Sequence, residues 1–291
     1  MTTSSPAPTV AVLGTGIIGA PVAVNLAESF QVRVWNRTRA AADRLGGLEV
    51  FDTAAAAVAG ADIVVTVLKD GPAVREVMES AVAGLAAGTV WIQLGTVGEQ
   101  DIADLAEFAR QHALTFYDAP VQGTKQPAEA GQLVVLAAGP LAERDTAAAV
   151  FEAIGSRTVW VDEAAGAATR LKLALNSLVF ALTHGIAESL SLATALGVDP
   201  RLVAEVVTGG PLDSGFFQGK SGAMLAGNYA TAFSVDNSVK DARLILAAAE
   251  KAGVAVDVTA AGLARFQRAA AAGHGAADMA ASHLAGAGAA R

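Results

Sequence analysis

The stretch Val10-Ala11-Val12-Leu13-Gly14-Thr15-Gly16-Ile17-Ile18-Gly19 decides the reading of this chain. An apolar, β-branched run enters three glycines spaced G-x-G-x-x-G, and an apolar helical pattern opens at Ile17. A strand that turns straight into a helix needs Gly14 for the tight turn. Gly16 lets a ligand approach the backbone, and Gly19 lets the helix pack closely on the strand. The free N–H groups of the first helical turn, with the positive end of the helix dipole, then suit a pyrophosphate. The whole turn, including Thr15, Ile17 and Ile18, is therefore the expected cradle for a dinucleotide. The context fits, because a second strand, Gln31-Val32-Arg33-Val34-Trp35, follows at the spacing of a β-α-β unit.

Outward from this motif, short β-branched runs at 10–13, 32–35, 63–68, 90–94, 114–118, 133–138 and 158–161 alternate with Ala-rich helical patterns such as 100–112 and 141–154. That rhythm predicts a doubly wound, mostly parallel sheet. The pattern changes near Gly166. Beyond it no convincing strand is found, and amphipathic segments at 168–196, 201–207, 236–252 and 258–272 predict an all-helical second half. Two domains are expected, 1–165 and 166–291, joined by a long helix. The last stretch, 280–291, reads as small, featureless and frayed.

At 291 residues the chain is long enough for two domains and can bury about 75% of its unfolded surface. It is 53% hydrophobic, carries a net charge of −8 and contains no cysteine. Acidity argues against nucleic-acid binding, and the lack of thiols excludes disulfides and cysteine nucleophiles. The first residues have neither a basic nor an apolar signal region and read as a short leader. The most apolar stretch, 171–196, carries Lys172, Asn176, His184 and Glu188, so burial between protein surfaces is expected rather than a membrane span. A cytoplasmic protein is the expectation.

An NAD site of this kind places an acid about 20 residues beyond the glycines, on the ribose hydroxyls. Here that position is Asn36, followed by Arg37 and Thr38. Arg37 can pair with a 2′-phosphate and stack on adenine, with Asn36 and Thr38 as hydrogen-bond donors. NADP(H) is therefore expected. Asn36-Arg37-Thr38 also has a plain alternative, as the cap of the next helix.

Three further stretches carry chemistry. Leu94-Gly95-Thr96 ends one strand, where open α/β sheets place their ligands. Asp118-Ala-Pro-Val-Gln122-Gly123-Thr124 opens a loop rich in Gly and Pro. Gly166-x-Ala168-x-x-x-Lys172-x-x-x-Asn176 opens the long helix, with Lys172 and Asn176 one turn apart on one face. Together with Phe233 and Lys240-Asp241, these motifs resemble the β-hydroxyacid dehydrogenase family, typified by 3-hydroxyisobutyrate dehydrogenase, from Val10 to about Ala272. The stretch Gly123-Thr-Lys-Gln-Pro-Ala-Glu-Ala-Gly-Gln-Leu133 looks most like the glyoxylate and succinic semialdehyde reductase branch.

The resemblance implies an N-terminal Rossmann domain and a helical C-terminal domain with the active site in the cleft between them. It also implies Lys172 as general acid or base with a pKa lowered by burial, and Asn176 as the residue that orients the substrate. Thr96 and Lys240 match positions at the nicotinamide end, Leu68 and Lys69 lie on the cofactor side, and Thr96, Gln122, Gly123, Thr124, Phe233 and Asp241 line the substrate. Gln122 departs from the family pattern, which has a serine there, and Thr124 replaces a glycine.

The bland readings are a snorkelling Lys172, an ordinary Lys240-Asp241 surface pair, a turn and helix start at Lys69-Asp70-Gly71-Pro72, and a core or interface His184. His112, His274 and His283 have no ligand spacing, and no metal is expected. The tryptophans are expected to pack. The expected activity is NADPH-dependent reduction of small aldehydes or semialdehyde and 2-oxo acids, or the reverse oxidation. The rivals are imine reduction and a catalytically silent NADPH-binding scaffold. A homodimer or larger homo-oligomer is expected from the apolar surface of the long helix.

Overall fold

Val, Ile and Thr pack well on a pleated surface, and their stiff side chains lose little in an extended backbone. In a computed structural model, which describes residues 7–286, these runs become strands. They are β1 (Thr9–Leu13), β2 (Gln31–Trp35), β3 (Glu49–Val50), β4 (Ile63–Thr66), β5 (Val90–Gln93), β6 (Thr115–Asp118), β7 (Val121–Gln122), β8 (Leu133–Ala138) and β9 (Gly155–Asp162). They join in the order β3-β2-β1-β4-β5-β6-β8-β7, with β9 also paired to β8. Neighbours are parallel from β3 through β6 and between β8 and β9, while β8 runs antiparallel to β6 and β7. The chain order reverses at β1 and β4, the place where open sheets bind ligands.

The connecting helices are α1 (Gly19–Leu26), α2 (Arg39–Asp43), α3 (Ala54–Val58), α4 (Gly71–Ala81), α5 (Glu99–Gln111), α6 (Lys125–Glu129) and α7 (Arg144–Ile154). Both sheet faces are covered. Val10 and Val12 pack with Val22, Leu26, Tyr117 and Phe151 on one side, while Ala11 and Leu13 pack with Met78, Trp91 and Phe108 on the other. That is the period-2 alternation of a strand buried on both faces.

The chain packs as two units divided between Lys172 and Leu173, seven residues beyond the boundary expected from sequence. The division falls inside α8 (Ala167–Ala195), whose first turns pack with the sheet unit. The second unit adds α9 (Arg201–Val207), α10 (Gly215–Ala226), α11 (Val235–Ala252) and α12 (Asp257–Ala269). Its core holds Leu173, Phe180, Val235, Ile245, Phe266 and Met279, with the Phe180 and Phe266 rings edge to face at 5.2 Å. By length and composition α8 could cross a membrane, but its buried face carries Lys172, Asn176, Thr183 and His184.

Several expectations need correction. β4 ends at Thr66 and β5 at Gln93, short of 68 and 94: the last ladder bonds, Val67 N–H to Leu13 O and Leu94 N–H to Thr66 O, precede turns that leave the sheet edge. α7 starts at Arg144 rather than 141, after a left-handed Glu143 (φ 58°). The helix expected to reach 272 stops at Ala269. It passes into a π-turn, Ala270–His274, kinked at Gly273 (φ 91°). Residues 280–286 are not frayed: Met279–Gly286 is a 3-10 helix with Ala280, Ala281 and Ser282 buried. The remainder of that stretch, 287–291, and most of the leader, 1–6, lie outside the described residues.

Candidate active site

Steric contacts explain two of the three glycines of the first turn. Gly14 adopts φ +104°, donates its N–H to the Trp35 carbonyl at 2.9 Å, and would drive any Cβ into Val67 O. A Cβ on Gly19 would collide with Gly14 O, so α1 sits hard against the turn. Gly16 faces open space, with nothing within 4 Å of an added Cβ. Beside it Thr15 Oγ1 is buried and has no hydrogen-bond partner among the described residues. An open glycine, an orphaned hydroxyl and the first N–H groups of a helix fit the phosphates of a dinucleotide.

Asn36 closes this turn rather than projecting from it. Its Oδ1 accepts the Thr15 N–H at 3.0 Å and its Nδ2 donates to Thr38 O at 3.0 Å. Arg37 and Thr38 are left exposed at the strand end. Thr38 occupies the N-cap position of α2, but its side chain makes no capping bond, so the simple capping alternative fails for that hydroxyl. On the next strand ends, Lys69 is exposed and Leu68 is half-buried. Asp70 accepts the Ala73 N–H at 3.0 Å and starts α4. Thr96 is half-buried in a turn held by Gln93, whose side chain bonds both the N–H and the carbonyl of Gly95 at 2.8 Å. Gln93 escaped the sequence reading because an amide inside an apolar strand gives no periodic signal.

Lys172 lies on the first turns of α8, 8% exposed, and its Nζ donates to Gln122 Oε1 at 2.9 Å. Gln122 ends β7, just past the carboxyl end of β6, on the sheet edge that also carries the glycine turn and Thr96. Gly123 follows in the left-handed region (φ +128°), with Thr124 half-buried after it. Four residues before Gln122 stands Asp118, fully buried, to which the sequence assigned no role. Its Oδ2 accepts the N–H groups of Gly166 and Thr169 at 2.8 Å each, and its Oδ1 accepts the Thr169 hydroxyl at 2.7 Å. Burial pushes the Asp118 carboxyl up from its ordinary range, against the pull of those donors.

The remaining candidates belong to the second unit. Asn176 is 4% exposed and donates from Nδ2 to Asp241 Oδ2 at 2.8 Å, while Lys240 Nζ lies 2.7 Å from Asp241 Oδ1. Asp241 is buried, so Lys240-Asp241 is not an ordinary surface pair. Phe233 is half-buried and donates its N–H to Asp278, which also holds Lys220. His184 is a core residue, its ring 4.3 Å from that of Phe266. Burial, with Arg265 and Arg268 nearby, lowers its pKa to about 4. The tryptophans pack as expected: Trp91 lies against Phe108 and Phe116, and Trp160 against Phe151.

Residues 9–162 match the NAD binding domain of 6-phosphogluconate dehydrogenase. Residues 166–284 match the NAD-binding domain of NADP-dependent 3-hydroxyisobutyrate dehydrogenase. Chloroplastic glyoxylate/succinic semialdehyde reductase 2 of Arabidopsis thaliana is 30% identical over 255 residues, spanning 86% of this chain and 71% of that protein. The 3-hydroxyisobutyrate dehydrogenase structure from Mycobacterium tuberculosis has a TM-score of 0.84 and 26% identity, covering 96% of this chain and 98% of that one. An imine reductase from Myxococcus stipitatus shares the fold at a TM-score of 0.66 and 24% identity, covering 95% and 99%. With its two halves matched in order, the chain belongs to the β-hydroxyacid dehydrogenase family, and is an oxidoreductase that uses a nicotinamide dinucleotide to act between CH–OH and C=O.

Proposed function

We propose that this protein is an NADPH-dependent reductase of small aldehydes and of semialdehyde or 2-oxo acids, able to run in reverse on the matching hydroxyacids. The observation that carries the reading is the buried Lys172 ammonium, held on Gln122 at the ligand edge of the sheet. The bound cofactor supplies a hydride to the carbonyl carbon. Lys172 Nζ donates a proton to the carbonyl oxygen, so that carbon and oxygen together gain H⁻ and H⁺ and leave as an alcohol. An ammonium there also stabilises the developing alkoxide before the proton moves.

Gln122 spends its oxygen on Lys172, which leaves the amide N–H pair for a substrate acceptor such as a carboxylate or carbonyl oxygen. Thr96, Gly123, Thr124, Phe233 and Asp241 complete the proposed substrate side, and Asn176, one turn beyond Lys172 on α8, orients the substrate. The glycine turn holds the pyrophosphate, and Leu68, Lys69 and Lys240 are proposed to contact the cofactor. Arg37, exposed and next to the engaged Asn36, is the proposed 2′-phosphate contact and favours NADP(H) over NAD(H).

Imine reduction is the runner-up, and Lys172 argues against it, because an ammonium stabilises the negative charge that develops on a carbonyl oxygen and repels the positive charge of an iminium. A silent scaffold would bind NADPH and turn nothing over. The test is NADPH consumption, followed by absorbance, with glyoxylate, succinic semialdehyde, small aldehydes and cyclic imines. Faster turnover of the carbonyl compounds upholds the proposal. Equal turnover of a cyclic imine and glyoxylate favours the imine reading, and tight NADPH binding without turnover favours the scaffold.

A second copy of this chain is the proposed partner. The exposed stripe of α8 and the turn that ends it runs Leu178, Leu182, Gly185, Ser189, Leu192, Leu196, without a charge. It mirrors itself about Ala187, pairing Leu178 with Leu196, Leu182 with Leu192, and Gly185 with Ser189. A two-fold interface needs one patch that complements itself, and two antiparallel copies of this stripe meet leucine on leucine with small residues at the centre.

A further inference from the structure

We propose that Asp118 is a positioning residue for Lys172, acting from β6 to fix the first turn of α8 so that the ammonium is delivered to Gln122; the inference rests on the reading of Lys172 as proton donor.

The segment 118–122 grips α8 at two points. At one end the Asp118 carboxylate takes the Gly166 and Thr169 N–H groups and the Thr169 hydroxyl. At the other end Gln122 takes Lys172, one turn beyond Thr169. Helix N-termini are commonly capped by a side chain next to the helix in sequence. Here the acceptor comes from another strand, 48 residues before Gly166 and 51 before Thr169. Gly166 sits in the left-handed region (φ +98°), which bends the chain so that its N–H and that of Thr169 converge on one oxygen. A local cap would hold the helix end to itself. A remote one ties the helix to the sheet edge and so fixes the rotation of α8 about its axis and its height above that edge. Those two freedoms decide where Nζ of Lys172 lies.

The cost of the arrangement points the same way. A fully buried carboxylate is expensive unless its donors compensate. For capping alone, a serine or asparagine within the helix's own turn would serve without a buried charge. Asp118 also receives both bonds on Oδ2 and the hydroxyl on Oδ1. Both oxygens are therefore acceptors; an asparagine could keep the two N–H bonds on its oxygen, but toward the Thr169 hydroxyl its nitrogen could only donate, so that bond would reverse and the charge would be lost.

The experiment compares Asp118→Asn, Thr169→Val and Thr169→Ser with the unaltered protein. Each is measured for melting temperature, NADPH affinity by fluorescence, kcat and KM with the best aldehyde, and the pH dependence of Lys172 labelling by an amine reagent, read on the peptide by mass spectrometry. Thr169→Val removes one bond to Asp118 and keeps the shape of the side chain. It is expected to lower kcat roughly tenfold, because small misplacement of a reacting group is costly. NADPH affinity should stay unchanged, and the labelling of Lys172 should become faster. Thr169→Ser restores the hydroxyl and is expected to return both readings to those of the unaltered protein. Asp118→Asn, which can keep the two N–H bonds and donate to the Thr169 hydroxyl, should change both readings no more than Thr169→Val does; if it fails to fold, the Thr169 pair decides. A lowered melting temperature in Thr169→Val with unaltered kcat, pH profile and Lys172 labelling would overturn the inference and leave Asp118 a cap. A protein that turns over no carbonyl compound, yet shows the labelling change, upholds the positioning role while the proposed function fails.

Discussion

Lys172 and Gln122 are 50 residues apart in sequence and joined by a 2.9 Å bond from Nζ to Oε1. The bond holds the ammonium at the sheet edge and occupies the Gln122 oxygen, which leaves its amide N–H pair for the proposed substrate. Lys172→Ala should lower kcat about 10²-fold or more and leave NADPH affinity, measured by fluorescence, within error of the unaltered protein. Gln122→Ser, which restores the residue usual in the family, should change KM among carboxylate substrates more than it changes kcat for a neutral aldehyde. Unchanged turnover in Lys172→Ala would remove this residue from the chemistry.

Arg37 and Asn36 would divide the work at the end of β2 in the proposed cofactor site. Asn36 holds Thr15 and Thr38, while Arg37 stands exposed with no hydrogen bond or ion pair among the described residues. Arg37→Ala should weaken NADPH about tenfold or more, the worth of one charged hydrogen bond, and hardly alter NADH. Asn36→Asp keeps the acceptor for the Thr15 N–H and adds a negative charge near a 2′-phosphate, so it should move preference toward NADH. Titration of both cofactors against both variants measures this. Equal losses for the two cofactors in Arg37→Ala would show that the guanidinium does not read the phosphate.

The sheet was legible because its runs are β-branched and separated by turn residues, and the glycine turn because Gly14 and Gly19 have steric reasons while Gly16 keeps the space beside the turn open. What escaped was short or non-local. β3 (Glu49–Val50) and β7 (Val121–Gln122) are two residues long and show no alternation. α10 hides its period behind Gly215, Gly219 and Gly222, although Ser214 caps its start and a left-handed Gly227 ends it. Asp118 looked like any acid in a loop. Its role needs Gly166 and Thr169 beside it, and pairing at that separation is invisible in a single sequence.

His184 gives the molecule a pH-dependent stability. Its pKa falls to about 4 through burial, with Arg265 and Arg268 adding repulsion from α12, and Glu188 one turn along α8 pairs with Arg265. An unfolded chain holds its histidine pKa near 6.5, so between those values the unfolded state binds the extra proton. Stability is full above about 6.5 and is lost as pH falls toward 4, by roughly 3 kcal/mol for this group. Asp118, whose pKa is raised, acts in the opposite sense: it favours folding as it gains its proton on acidification. Subtracting the pH–stability curve of His184→Phe from that of the unaltered protein should isolate the histidine contribution. A difference that stays flat from neutral to acid would show that His184 is not held neutral in the fold.

Asp241 joins two polar groups inside the helical unit, accepting the Asn176 amide N–H at 2.8 Å and lying in an ion pair with Lys240 at 2.7 Å. Asp241→Ala deprives a buried amide of its acceptor and should cost about 1–3 kcal/mol. Asp241→Asn keeps one acceptor oxygen and should cost less. Urea titration of both variants ranks them. An alanine variant as stable as the asparagine one would mean that Asn176 finds another acceptor.

The mirrored stripe of α8 makes a prediction about register that an unrelated dimer would not meet. The chain has no cysteine, so any disulfide reports only introduced residues. Antiparallel packing places Leu182 of one copy beside Leu192 of the other, on exposed positions. Leu182→Cys and Leu192→Cys, expressed separately and mixed under oxidation, should give a covalent heterodimer, and neither alone should cross-link efficiently. Parallel packing would cross-link each variant to itself instead. Leu182→Glu should shift the protein toward monomer in sedimentation while its helical content is kept, because a charge at the core of an apolar interface stays unpaired on both sides of the two-fold axis. A Leu182→Glu protein that sediments like the unaltered one would place the interface elsewhere.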